Sequence, residues 1–309
     1  MQTDFSPPYI YKAIPRLRLF NLLDDNAHKQ NIMITGQAAQ GKSTLVASYL
    51  KNKNHNILWF NLSKDDSHHT KLFDKLFSGI RNISEKIENS EDIVLPRITL
   101  GTEKDLLRRI EVLSDILNEL SFPLTIVLDD LQSVDETLSG FQLVKGLVEN
   151  QFKIIKLFLL SRTLPSFNIP RLKLAHHLFI LENADLAFNL EETNTFFAEK
   201  KTMAKKTIEK IQQITDGWAG GLTLISESMR QFNDMPALPD RLTTEVFSYF
   251  SQEIYDNLSE KIQNFLIETA ILDTIDLELI HRFFDSTDSL EILEELEKRQ
   301  NPMVDAWDR

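Results

Sequence analysis

Cysteine is absent from all 309 residues of the chain. That removes disulfide frameworks and thiolate zinc sites, and it suits a reducing compartment. Glycine is scarce too: there are 9, against roughly 7% of residues in an average protein. A motif that needs two glycines at fixed spacing therefore seldom arises here by chance. No apolar run approaches the ~18 residues of a membrane span, and no apolar segment follows a basic N-terminal start, so the expected location is the cytoplasm. Positive charge is in deficit: 46 Asp and Glu against 34 Lys and Arg give a formal net charge of −12 and a pI near 5.1. General nucleic-acid binding draws on clustered basic side chains, so this balance argues against it. Lys200, Lys201, Lys205 and Lys206 form a local basic cluster, read as a solvated helix face before a basic patch. The rest is an ordinary globular composition, 42% hydrophobic and 26% charged, long enough for two or three packed units.

Against that background one stretch stands out: Gly36-Gln37-Ala38-Ala39-Gln40-Gly41-Lys42-Ser43-Thr44. It fits Gly-x4-Gly-Lys-[Ser/Thr], the loop that wraps nucleotide phosphates. An apolar run, Asn31–Thr35, precedes it as a short buried strand, and Leu45–Leu50 follows as helix. Strand, loop and helix in that order are what the chemistry requires. Gly36 and Gly41 supply backbone freedom, so that successive N–H groups can face oxygen anions. The helix beginning near Lys42 aims its unpaired N–H groups and positive dipole end at the same place. Lys42 is then expected on the β/γ-phosphates and Ser43 on Mg²⁺.

From residue 31 to about 182 short apolar runs alternate with helical periodicity. The strand candidates are 31–35, 56–62, 123–129, 154–161 and 177–181. Continuous apolar runs of this length suit parallel strands covered on both faces, hence a doubly wound α/β domain. The clearest helix is 103–120, with Leu106, Leu107, Ile110, Leu113, Ile116, Leu117 and Leu120 as one stripe opposite Arg108, Arg109, Asp115 and Glu119. After about 183 the pattern is helical: Leu190–Glu199, Ala204–Ile214, Trp218–Gln231, Glu245–Asn257, Ser259–Ala270, Asp276–Phe284 and Leu290–Arg299. The stretch 233–240, Asn-Asp-Met-Pro-Ala-Leu-Pro-Asp, reads as a linker. The expected domains are 1–182, 183–235 and 236–309.

A second motif, Thr125-Ile126-Val127-Leu128-Asp129-Asp130, is an apolar strand ending in two carboxylates. In P-loop proteins such a strand lies beside the phosphate loop and brings an acid to the metal. Asp129 is assigned to Mg²⁺, mostly through water. Asp130 is assigned to the attacking water, with helix capping as the alternative. Arg162 ends the run 156–162 at the ligand edge of a parallel sheet, where it reads the γ-phosphate or simply ends a strand at the surface. Asp65 and Asp66 are expected first to cap the next helix. The pairs His68-His69 and His176-His177 are rejected as zinc ligands, because adjacent histidines on a strand point to opposite faces.

With these residues in place the chain resembles the signal-transduction ATPases with numerous domains (STAND), in particular the nucleotide-binding region of MalT-like, large ATP-binding LuxR-type transcription regulators. The resemblance runs through IPRLRL at 14–19, GQAAQGKST at 36–44, WFNLSKDDS at 59–67, IVLDDLQSV at 126–134, LLSRTLPSF at 159–167, DGWAGGL at 216–222 and FLIETAIL at 265–272. It implies an α/β P-loop NTPase domain, a parallel sheet with helices on both faces, followed by a small helical domain and a partial winged-helix domain. It implies ATP or ADP with Mg²⁺ as ligands: Lys42, Ser43 and Thr44 at the Walker A loop, Asp129 and Asp130 as the Walker B pair, and Arg162 as a sensor-like arginine. It places Arg16 and the Gly217–Ala219 turn near base and sugar. Family members continue into a helical-repeat sensor and a DNA-binding domain, so DNA contact is expected only through a part beyond this chain, which would be a fragment or a regulator without its output domain. A phosphate-contacting histidine is expected further on. Leu131 stands where an aromatic residue commonly follows the acidic pair. The resemblance implies a slow ATPase switch, closed with ADP and self-associating with ATP. A P-loop small-molecule kinase and a non-hydrolysing ADP-binding scaffold are the alternatives.

Overall fold

The computed structural model describes residues 5–10, 13–51, 53, 56–88, 103–198, 203–231, 258–270 and 289–298. The chain divides into two compact units: Met1–Gly36 with Lys42–Leu186, and Gln37–Gly41 with Ala187–Arg309.

The first unit contains α1 (Leu17–Asp25), β1 (Asn31–Thr35), α2 (Lys42–Lys51), β2 (Asn56–Asn61), α3 (His69–Glu88), α4 (Glu103–Glu119), β3 (Leu124–Asp129), α5 (Ser139–Glu149), β4 (Ile155–Ser161), α6 (Ile169–Leu174), β5 (Leu178–Leu181) and α7 (Asn183–Leu186). Its five strands form one sheet in the order β2-β3-β4-β1-β5, with every pair parallel. Strand residues alternate between the two faces. Met33, Leu58, Phe60, Ile126, Leu128, Leu157 and Leu159 pack into one cluster with α3, α4 and α5. Ile32, Ile34, Trp59, Val127, Phe158 and Leu160 pack into the other with α1 and α2. Both faces are thus dry, which explains why these strands read as unbroken apolar runs. The carboxyl ends of all the strands share one edge, and the candidate residues gather there.

Three local expectations change. In α4, Leu107 is 66% exposed and Arg109 only 2%, so the apolar stripe is rotated from the expected face. The Arg109 guanidinium lies 4.7 Å from the Phe73 ring centroid and 3.9 Å from the Asp74 carboxylate. An arginine stem and its cation–π contact substitute for an aliphatic side chain at that position. Asp66 does not cap α3. It closes a capping box on the short 3₁₀ turn Lys64–Ser67 by accepting from the Ser63 N–H and hydroxyl. Asp65 pairs with Lys71 instead, and the Ser139 hydroxyl accepts the His69 N–H at the start of α3. His68 and His69 therefore sit at a helix start rather than on a strand.

The second unit contains α8 (Leu190–Ala198), α9 (Lys205–Thr215), α10 (Ala219–Gln231), α11 (Glu260–Thr269) and α12 (Ser289–Lys298). Gln212 ties α8 to α9: it accepts from the Thr193 hydroxyl at 2.6 Å and donates to the Phe188 carbonyl at 2.8 Å. α9 ends through left-handed Asp216 and Gly217, φ 46° and 74°. A Cβ on Gly217 would stand 2.2 Å from the Phe188 carbonyl oxygen, so glycine is obligatory there. Ser259 caps α11 through the Ile262 N–H. The expected linker 233–240, Lys200 and Lys201, and the expected helices Glu245–Asn257 and Asp276–Phe284 lie outside the described residues.

Candidate functional site

β1 ends at Thr35 and α2 begins at Lys42, so the glycine loop is the whole connection between them. Its left-handed residues are Gly41, φ 88°, and Ala39, φ 56°. Gly36 is not one of them, and the curvature expected of Gly36 is carried by Ala39. The Gly36 N–H donates to the Ser161 carbonyl at 3.2 Å, which pins the start of the loop to the end of β4.

Lys42 is 8% exposed, and its Nζ donates to the Gly36 carbonyl at 2.5 Å. Burial lowers its pKa to about 8; the nearby Arg162 charge adds to this, while the Asp129 and Asp130 carboxylates oppose it. Asp129 is 5% exposed. Burial pushes its carboxyl above the usual range, against a hydrogen bond from the Ser43 side chain, with the Asp130 charge adding and the Lys42 charge opposing. The two acids therefore differ in kind. Asp129 is buried and joined to Ser43, whereas Asp130 is exposed and left-handed at φ 57°. The Asp130 N–H donates back to the Asp129 carboxylate at 2.9 Å.

In the sheet β4 lies between β3 and β1. The Asp129–Ser43 bond is made by side chains reaching along the strand-end edge rather than by adjacent strands. Arg162, just past β4, is exposed and acts on Lys42 through its charge. Gln132 was not singled out from the sequence, yet its amide donates to Asp130 at 2.9 Å and its carbonyl accepts the Arg162 N–H at 2.9 Å. Only its place two residues after the acidic pair could have drawn attention to it.

Among the residues named from sequence, Gly36, Lys42, Ser43, Asp129, Asp130 and Arg162 come together at one edge. Thr44 is exposed on the first turn of α2. Arg16 is engaged elsewhere: its buried guanidinium donates to the Leu186 carbonyl at 3.0 Å, beside an Arg18 bond to the Asp185 carbonyl. In the second unit Gln37, Ala38, Ala39 and Gln40 make the loop tip, and the Trp218 indole N–H donates to the Ala38 carbonyl at 3.0 Å. Gly217 serves the α9 terminus, with its carbonyl accepting the Phe188 N–H at 2.8 Å.

A buried ammonium, a hydroxyl bonded to a buried carboxylate, and a glycine loop opening a helix form a donor set that fits a magnesium-bound polyphosphate. A family model described as the MalT winged helix domain matches residues 251–309, and one described as Nephrocystin 3, N-terminal, matches 18–162. The HTH-type transcriptional regulator MalT of Klebsiella pneumoniae is 24% identical over 300 residues, covering 95% of this chain and 33% of the relative. The chain resembles MalT-type, STAND-class P-loop ATPases. It spans about one third of the length of the curated relatives it matches. Among solved structures, a Walker-type ATPase of Pyrococcus abyssi matches with TM-score 0.62 at 15% identity, over 92% of this chain and 89% of that one. A STAND protein with a tetratricopeptide-repeat sensor from Pyrococcus horikoshii matches with TM-score 0.50 at 18% identity, over 97% of this chain and 41% of that one. The MalT-like chain has the P-loop NTPase fold, a parallel sheet with helices, and its C-terminal region matches a winged-helix family.

Proposed function

We propose that this chain is the ATP- and ADP-binding module of a MalT-like transcription regulator, working as a nucleotide-dependent switch. The observation that carries the proposal is the joining of Ser43 to a buried Asp129 within the field of Lys42. In this reading the loop 36–41 takes the phosphates through main-chain N–H groups, and Lys42 leaves the Gly36 carbonyl to meet the β/γ-phosphates. Ser43 and Asp129 hold Mg²⁺, which when bound neutralises phosphate charge. Asp130 orients or deprotonates the attacking water, held in place by Gln132. Arg162 reads the γ-phosphate across the same Gln132 link. Such a site works through positioning and charge stabilisation, since phosphoryl transfer asks little covalent chemistry of the protein. Arg16 and Gly217 are assigned to the base and sugar on the resemblance alone. We assign self-association to the ATP state, slow hydrolysis to resetting it, and DNA contact to parts of the regulator other than this acidic chain. No helix among the described residues is long and apolar enough to cross a membrane, in keeping with a cytoplasmic regulator.

Mass spectrometry of the denatured purified protein tests for bound nucleotide, and a turnover assay with light scattering tests the switch. Slow ATP turnover with ATP-dependent growth in particle mass is expected. Trapped ADP without turnover or growth would favour a scaffold, and turnover that depends on a small-molecule acceptor would favour a kinase.

A further inference from the structure

The turn after α9 and the first two residues of α10 meet the phosphate loop at three consecutive positions. Trp218, 5% exposed, donates its indole N–H to the Ala38 carbonyl at 3.0 Å. Ala219 Cβ lies 3.7 Å from where a Cβ on Gly41 would stand. A Cβ on Gly220 would stand 2.9 Å from the Ala39 Cβ and 2.4 Å from the Trp218 ring, so glycine is what allows this close approach. Ala39 itself is held at φ 56°. A non-glycine residue resists that conformation unless its surroundings impose it.

Peptide geometry gives the indole bond its consequence. In a trans peptide the carbonyl and the following N–H point in opposite directions, and none of the described residues has a cis bond. With the Ala38 carbonyl fixed on Trp218, the Ala39 N–H is turned away from the indole. Among the described residues no backbone acceptor takes that N–H.

We propose that Trp218 is a positioning residue for the phosphate loop. Its indole N–H clamps the Ala38 carbonyl, keeps Ala39 left-handed, and so leaves the Ala39 N–H set for a phosphate oxygen. The clamp itself stands without any ligand; its effect on phosphate rests on the nucleotide-binding reading above. It also gives the Trp218 turn a role in shaping the loop, distinct from the base and sugar contact that the family resemblance suggests.

The test uses the full ¹⁵N-labelled chain and Trp218→Phe, which keeps an aromatic ring and removes the N–H donor. Without nucleotide, the wild-type Trp218 indole proton is expected to exchange with solvent at least ~10-fold more slowly than in an unfolded chain. The amide resonances of Ala39 and Gly41 are expected to move in Trp218→Phe. With Mg-ADP, the variant is expected to bind about two- to ten-fold more weakly, the span of one net hydrogen bond. A fast-exchanging indole proton, or unchanged loop resonances and ADP affinity in a folded variant, would overturn the proposal. If the variant does not fold, the wild-type exchange rate alone decides. If wild type binds no ADP, the nucleotide reading falls, while the exchange rate and the loop resonances still judge the clamp.

Discussion

At its C-terminal end the phosphate loop runs into α2, where Lys42 is buried and Ser43 is bonded to a carboxylate that is 5% exposed. At its tip, Ala38 and Ala39 are held by one indole hydrogen bond and one glycine contact. The first end concentrates charge, and charge removed from water must be matched, so each group there constrains its neighbours. The tip carries neutral amides, whose worth lies in where they point. Substitution at the first end should abolish function, and substitution at the tip should grade it.

Lys42→Ala should have the largest effect: Mg-ADP affinity is expected to fall at least ~100-fold, because the proposed charge-assisted contact to phosphate would be lost. Asp130→Asn comes next. ATP turnover is expected to drop by about 100-fold or more while ADP affinity stays within about two-fold, since the proposal gives this exposed acid the water rather than the metal. Steady-state kinetics beside binding titrations separate the two. Gly217→Ala probes the α9 terminus that supports the tip. Its methyl group would meet the Phe188 carbonyl at 2.2 Å with φ at 74°, so a loss of about 2–4 kcal/mol of stability is expected by urea unfolding.

The pH dependence is gentler. Lys42 titrates at about 8 in the ligand-free protein, and polyphosphate favours its charged form. Below about pH 7 the ammonium is already present, so affinity is expected to be flat. Above about 8 the lysine must take up a proton in order to bind, and affinity is expected to fall by up to ~10-fold per pH unit. Titrations from about pH 6 to 9.5 would check this, and an affinity that rises with pH would remove Lys42 from the phosphate contact.

The α/β unit was legible in the sequence because both sheet faces are covered. The runs 31–35, 56–62, 123–129, 154–161 and 177–181 were expected as strands, and they are found at 31–35, 56–61, 124–129, 155–161 and 178–181. The residues at the charged end of the loop were legible too, since a contiguous motif and a strand-end acidic pair carry them. Geometry set by distant packing was not. Arg109 turns inward because Phe73 offers it a ring, a partner 36 positions away. Ala39 takes a left-handed conformation where a glycine was the natural candidate, and the tryptophan that touches its peptide lies 180 positions from Ala38. Gln132 links Asp130 to Arg162 only because β3 and β4 are neighbours in the sheet.

The most direct test of the central claim, that main-chain amides and the Lys42 ammonium hold a polyphosphate at this sheet edge, is calorimetric titration of Mg-ADP into nucleotide-free wild type and Lys42→Ala. One saturable site in wild type and no measurable heat of binding in the variant is the predicted result. Equal affinity for the two proteins would contradict it.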